Sequence, residues 1–184
     1  HRYQLATLSR GYKRYTRGFK IANTHSDARE IGDEPYQFLT KYPRTIVCVA
    51  EERMTAIPQL LQKNPMIDVI LLDDAFQHRS VKAGLNILLS DYDRMYTRDY
   101  IMPFGLLRES KKSASRAQII IVTKCPSNLS SAEKEKRIKE INPLPHHQVY
   151  FTCIRYSTLN PFSTNQTLPT AETEVLLVTG IANN

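Results

Sequence analysis

Short apolar runs alternate with polar stretches along the whole chain. Residues 4–9, 45–50, 68–72, 85–90, 117–123, 148–155 and 174–179 carry the Val, Ile and Leu enrichment expected of strands. Several of these runs are continuously aliphatic rather than alternating, as strands buried on both faces read. Helix-like segments at 33–41, 51–63 and 131–141 lie between some of them, the last with acid early and Lys and Arg throughout. This order predicts an α/β domain built on a mostly parallel sheet flanked by helices. Residues 1–159 read as the core domain and residues 160–173, rich in Pro, Ser, Thr and Asn, as a loop or linker. Residues 174–184 read as the start of a further strand and region. In open sheets of this class ligands bind beyond the carboxyl ends of the strands. Chemistry is therefore expected in the loops "SRGYKR" (9–14), "DDAFQHR" (73–79) and "TKCPSN" (123–128).

A length of 184 residues suits one domain with a real core, or one domain and part of another. No apolar run approaches the roughly 20 residues that span a bilayer, and no secretory signal is visible. Cys48, Cys125 and Cys153 are scattered without metal-ligand spacing and read as buried thiols in a reducing compartment. The formal charge is +7, and six of those charges lie in residues 1–20, which contain no acid. A smaller basic cluster, Arg108, Lys111, Lys112 and Arg116, is opposed locally by Glu109 alone. Such patches suit phosphates or anionic headgroups, or are simply solvated faces. The chain starts without Met and ends just after a fresh apolar run, so both ends are expected to continue in a longer protein.

The stretch "VILLDDAFQH" (69–78) sets two adjacent carboxylates at the end of an aliphatic run. Four hydrophobic residues followed by Asp is the pattern whose carboxylate holds the Mg²⁺ that bridges nucleotide phosphates. A strand simply reaching solvent gives the same pattern. Side chains alternate along a strand, so Asp73 and Asp74 face one ligand only if the strand has already ended, and Asp73 is the favoured metal ligand. Phe76 reads as packing, with Gln77 and His78 as polar groups near the same ligand. In "IGDEPYQFL" (31–39), Asp33 is well placed as a helix N-cap, with Glu34 and Pro35 in the first turn. That structural role suffices for the spacing; a functional reading makes Asp33 the base that accepts a hydroxyl proton during phosphoryl transfer. Arg108, in the Gly-containing loop "MPFGLLRES" (102–110), is suited to a bidentate grip on phosphate. None of the six glycines lies in a G-x-x-x-x-G-K-[ST] pattern, so the chain contains no phosphate-cradling P-loop.

Taken in order, "LSRGYKR" (8–14), "GDEP" (32–35), "LLDDAFQH" (71–78), "MPFGLLRES" (102–110) and "VTGIAN" (178–183) resemble the tetraacyldisaccharide 4'-kinases of lipid A biosynthesis. The resemblance spans essentially the whole chain. It implies an incomplete P-loop kinase-like fold, with the P-loop N-terminal to "SRGY" and a catalytic histidine beyond "GIAN". It implies use of ATP and Mg²⁺ to phosphorylate the 4'-hydroxyl of an acylated disaccharide 1-phosphate at the cytoplasmic face of the inner membrane. No nucleic-acid partner is expected. On this resemblance Asp33 is the catalytic aspartate, Asp73 and Asp74 are the metal-binding acids, Gln77 and His78 lie beside the nucleotide, and Arg108 meets the acceptor. Ala75 departs from the Gly found in many members and is expected to alter the loop backbone slightly. Two other readings are a different P-loop nucleotide hydrolase, such as a helicase, and a non-enzymatic anion-binding module using the basic N-terminal end.

Overall fold

The computed structural model describes residues 3–156; the expected linker at 160–173 and strand at 174–179 lie outside them. Within the described residues, seven strands and four α-helices follow in the order β1 (Leu5–Ser9), β2 (Lys20–Ile21), α1 (Ala28–Ile31), α2 (Asp33–Lys41), β3 (Ile46–Val49) and α3 (Arg53–Lys63). Then come β4 (Val69–Leu72), β5 (Ile87–Asp91), a 3-10 turn (Lys111–Arg116), β6 (Ile119–Thr123), α4 (Ser131–Ile141) and β7 (Gln148–Phe151). β1, β3 and β6 are covered on both faces, as continuous aliphatic runs suggest, whereas β4, β5 and β7 alternate exposed and more buried positions and correct that expectation; parallel pairing follows from helical or long crossovers.

The expected single sheet is instead divided in two. One sheet has the order β2-β3-β1-β4 and the other β5-β6-β7. Every pairing is parallel except that of the two-residue edge strand β2 with β3. In the first sheet Ala6 of β1 lies opposite Ile46 on one side and Ile70 on the other. Among the described residues β4 pairs only with β1 and β5 only with β6, so each leaves one edge open. One face of each is also uncovered, leaving Val69 and Leu71 of β4, and Ile87 and Leu89 of β5, exposed. Both strands wall a cleft of about 1150 Å³.

Each sheet has its own core. Ala6, Leu8, Cys48, Ala50, Ala56 and Leu60 form the first, where α3 packs on β1 and β3. Met95, Ala117, Ile120, Val122, Cys125 and Ile141 form the second, under α4. Leu8, Leu60 and Ile120 are fully buried, worth about 1.5–3 kcal/mol each in apolar area removed from water. Helix α4 starts at a reciprocal capping box, Ser130 with Glu133, which satisfies two N–H groups the helix leaves open. Cys48 and Cys125 are buried as expected, and burial pushes the Cys48 thiol up to about 12. Cys153 corrects the expectation. Strand β7 stops at Phe151, and the thiol beyond it is exposed.

Candidate active site

The two acids sit where the first sheet hands over to the second. The N–H of Asp73 donates to the Leu8 carbonyl at 3.2 Å, so the ladder with β1 runs one residue past β4. Asp74 then turns the chain with φ +43°, a left-handed conformation that Asp tolerates better than most residues. The turn is closed by His78 N–H donating to the Ala75 carbonyl at 2.9 Å and by Gln77 Nε2 donating to the Asp74 carbonyl at 3.3 Å. Strand alternation therefore does not govern Asp74. The positive φ falls on Asp74 rather than Ala75, so alanine sits where no left-handed residue is needed. Phe76 packs against the second core, as its apolar character suggested, and ties this loop across the gap between the sheets.

Asp73, Asp74, Gln77, His78 and Arg108 all line the cleft between β4 and β5. Arg108 Nη1 lies 2.5 Å from Asp74 Oδ2, but the side chains are 58% and 65% exposed, so solvent screens the pair and its contribution to stability is small. A residue the sequence pattern does not single out completes the cluster. Arg53 opens α3, is only 4% exposed, and donates from Nη2 to the Asp73 carbonyl at 3.2 Å. Its Nε and Nη1 are buried with no hydrogen-bond partner. Burial depresses the Arg53 pKa; Asp74 and Asp73 raise it, and Arg10, just after β1, lowers it. A guanidinium nonetheless stays charged at physiological pH. His78 is held below its ordinary value by burial first and then by Arg53, with Arg10 and Arg108 adding to the effect and Asp74 opposing it. It is therefore neutral at pH 7 and can offer one donor and one acceptor.

Asp33 is placed differently from the expectation. Helix α2 begins at Asp33 itself; its N-cap is Gly32, at φ +95°, and no side chain accepts a first-turn N–H. The carboxylate is exposed and has no capping role to fulfil. The reason lies in tertiary packing. A Cβ on Gly32 would come within 3.1 Å of the Gly11 Cα, and one on Gly11 within 2.7 Å of the Ile31 carbonyl oxygen. The "SRGY" turn and the start of "GDEP" thus pack backbone on backbone, and only glycine fits either position. This contact ties α2 to the loop that carries Arg10, although Asp33 does not line the cleft shared by the other five residues.

Among the described residues no group of three or more His, Cys, Asp and Glu side chains is arranged to hold a metal. Asp73 and Asp74 still fit Mg²⁺. That ion commonly takes one or two protein carboxylates and completes its shell with water and substrate phosphate oxygens. An all-oxygen pair with no thiolate or imidazole ligand suits a hard cation.

The profile of the family described as LpxK, tetraacyldisaccharide-1-P 4'-kinase, matches residues 1–184. The chain is 48% identical over 194 residues to the tetraacyldisaccharide 4'-kinase of Bacteroides thetaiotaomicron, covering 98% of this chain and 51% of that protein. It is 46% identical to the enzyme of the same name from Flavobacterium johnsoniae, covering 99% and 54% of the two chains. The chain thus spans about half the length of the curated relatives it matches. The crystal structure of the "apo" form of LpxK from Aquifex aeolicus, in complex with ATP, superposes with a TM-score of 0.58 at 36% identity. That match covers 65% of this chain and 38% of the other.

Proposed function

Since the chain belongs to the tetraacyldisaccharide 4'-kinase family, we propose that it supplies the metal-binding and acceptor-activating part of an ATP-dependent kinase. The acceptor is the 4'-hydroxyl of an acylated glucosamine disaccharide 1-phosphate, and the setting is the cytoplasmic face of the inner membrane. The observation that carries this reading is the clustering of Asp73, Asp74, Gln77, His78 and Arg108 at one cleft, at the carboxyl end of a parallel strand, in a chain matched from end to end by the family.

Asp73 and Asp74 would hold Mg²⁺, which when bound neutralises charge on the nucleotide phosphates. Arg53 fixes the Asp73 backbone from behind, and the buried guanidinium keeps positive potential beneath the two carboxylates. Neutral His78 and Gln77 offer hydrogen bonds to the nucleotide. Arg108, paired with Asp74 at the cleft, meets the acceptor and its 1-phosphate. Asp33 takes the proton of the acceptor hydroxyl as its oxygen attacks the γ-phosphorus and ADP leaves. An exposed carboxylate with no hydrogen-bond donor from its own helix is free to accept it. No helix among the described residues is long and apolar enough to cross a membrane.

The test is transfer of phosphate from ATP to the acylated disaccharide 1-phosphate by the full-length protein, with and without Mg²⁺. Metal-independent transfer, or hydrolysis of ATP stimulated by nucleic acid instead of the lipid, would overturn the proposal.

A further inference from the structure

The loop between β5 and the 3-10 turn is both apolar and outward-facing. Tyr100, Ile101, Met102, Phe104 and Leu106 are all exposed, Phe104 at 89%. An ordinary surface loop with this many large apolar side chains is unusual, because contiguous exposed apolar surface marks a contact site. The loop is also held in one shape. Met102 N–H donates to the Leu107 carbonyl and Leu107 N–H to the Tyr100 carbonyl, both at 3.0 Å, and Phe104 N–H donates to the Ile101 carbonyl at 3.0 Å. Asp99 Oδ1 accepts from the N–H groups of Tyr100 at 2.8 Å and Leu106 at 3.2 Å. A Cβ on Gly105 would come within 2.3 Å of that same Asp99 oxygen. The backbone polar groups are thus largely spent within the loop, and the apolar side chains are left facing out.

The base of this finger is basic. Residues 98–112 contain Arg98, Arg108, Lys111 and Lys112 against Asp99 and Glu109. Lys111 Nζ donates to the Thr97 carbonyl at 2.8 Å and sits 5.2 Å from the centre of the Tyr100 ring. Lys112 takes part in no salt bridge among the described residues. An apolar tip above a cationic collar is complementary to one kind of surface: acyl chains beneath anionic headgroups.

We infer that the loop from Tyr100 to Leu106 inserts into an anionic bilayer, with Lys111 and Lys112 at headgroup level, and so sets the cleft beside Arg108 against the membrane. This deepens, and rests on, the reading of the protein as a kinase of a lipid acceptor. Buried apolar side chains supply the depth and the lysines supply salt-dependent attraction.

The chain contains no tryptophan, so Phe104→Trp gives the loop its own fluorophore. The experiment uses the full-length protein, with any tryptophan outside this chain replaced by phenylalanine, and vesicles that contain no acceptor lipid. With phosphatidylglycerol vesicles, the emission of the introduced indole should shift to the blue and be quenched by brominated acyl chains, and phosphatidylcholine alone should give a weaker response. Phe104→Glu should weaken vesicle binding at least roughly 10-fold, the loss expected when one aromatic side chain no longer leaves water. Emission already blue without vesicles and insensitive to brominated lipid would show that the loop packs against protein, and the inference would fall. So would vesicle binding equal to wild type in Phe104→Glu. Because no phosphate transfer is read, failure of the kinase assignment would appear separately, as an acceptor left unphosphorylated in detergent.

Discussion

Replacing Asp33 by Asn separates its chemistry from its place in the fold. The substitution preserves shape and removes one charge at the first position of α2. Because Gly32 is the N-cap and Asp33 accepts no hydrogen bond from the helix, no capping bond is lost. What remains is the interaction of an exposed carboxylate with the helix dipole, about 0.3–1 kcal/mol and screened by salt. For a protein of this size or larger, that corresponds to a fall in Tm of no more than about 4 °C. A general base, by contrast, contributes roughly 10²–10⁴-fold in rate, or about 2.7–5.4 kcal/mol of barrier. Full-length Asp33→Asn should therefore melt close to wild type while kcat falls by at least about 10²-fold, with little change in the KM for ATP. Thermal melting and steady-state transfer to the acylated disaccharide, measured on the same preparation, decide the matter. Activity that falls only as far as the folded fraction falls, or that stays within about 5-fold of wild type, would refute the role as base.

Asp73→Asn and Asp74→Asn should each lower transfer about 10²-fold or more with small effects on melting, and both defects should ease at raised Mg²⁺ if the carboxylates act through the metal. Arg53→Met removes a buried cation with two unsatisfied donors, so melting should not fall below wild type, whereas transfer should drop and its Mg²⁺ requirement rise; a large loss of stability would make Arg53 a structural anchor instead. Glu140 has its pKa lowered to about 2 by hydrogen bonds from Arg98 first and then Thr97 and Arg137, against the opposing effect of burial. That stabilisation is complete above its ordinary value near 4.5 and is lost as pH falls toward 2, so Glu140→Gln should unfold more easily than wild type at pH 7, with the gap closing between pH 4.5 and 2 in acid titrations.

Elements long enough to show a period were legible in the sequence. The helices at 33–41 and 131–141 have the boundaries read from the pattern, and β1, β3, β4 and β6 lie within two residues of their apolar runs. The two-residue β2, the four-residue α1 and the 3-10 turn were not legible, because so few residues establish no periodicity. The strand expected at 148–155 was read too long, since Val149 to Ile154 stays apolar in composition after pairing has stopped at Phe151. The acids, Gln77, His78 and Arg108 were singled out because an aliphatic run and a distinctive loop advertise them, and the fold brings them to one cleft. Arg53 was missed because an arginine in "AEER" looks like a solvated residue; its burial comes from the sheet and the loop after β4, which sequence spacing does not display. The same holds for Gly32, whose capping position depends on Gly11, more than twenty residues earlier.

Among the described residues β4 and β5 each leave one edge open, and these edges bear on how the isolated chain behaves in solution. Both expose aliphatic side chains and one row of peptide groups toward the same cleft, in the middle of the fold rather than at its periphery. Such edges are templates for strand addition, and neither carries a proline or an inward lysine to discourage it. Concentrated preparations of the 184-residue chain should therefore coalesce through these strands before they unfold. A gatekeeper charge such as Leu71→Lys should raise solubility while leaving both cores intact, since Leu71 belongs to neither. Among the strands, the outward-facing amides of residues 69–72 and 87–91, like those of the other edge strands β2 and β7, should exchange faster than the amides of β1, β3 and β6, which are flanked on both sides.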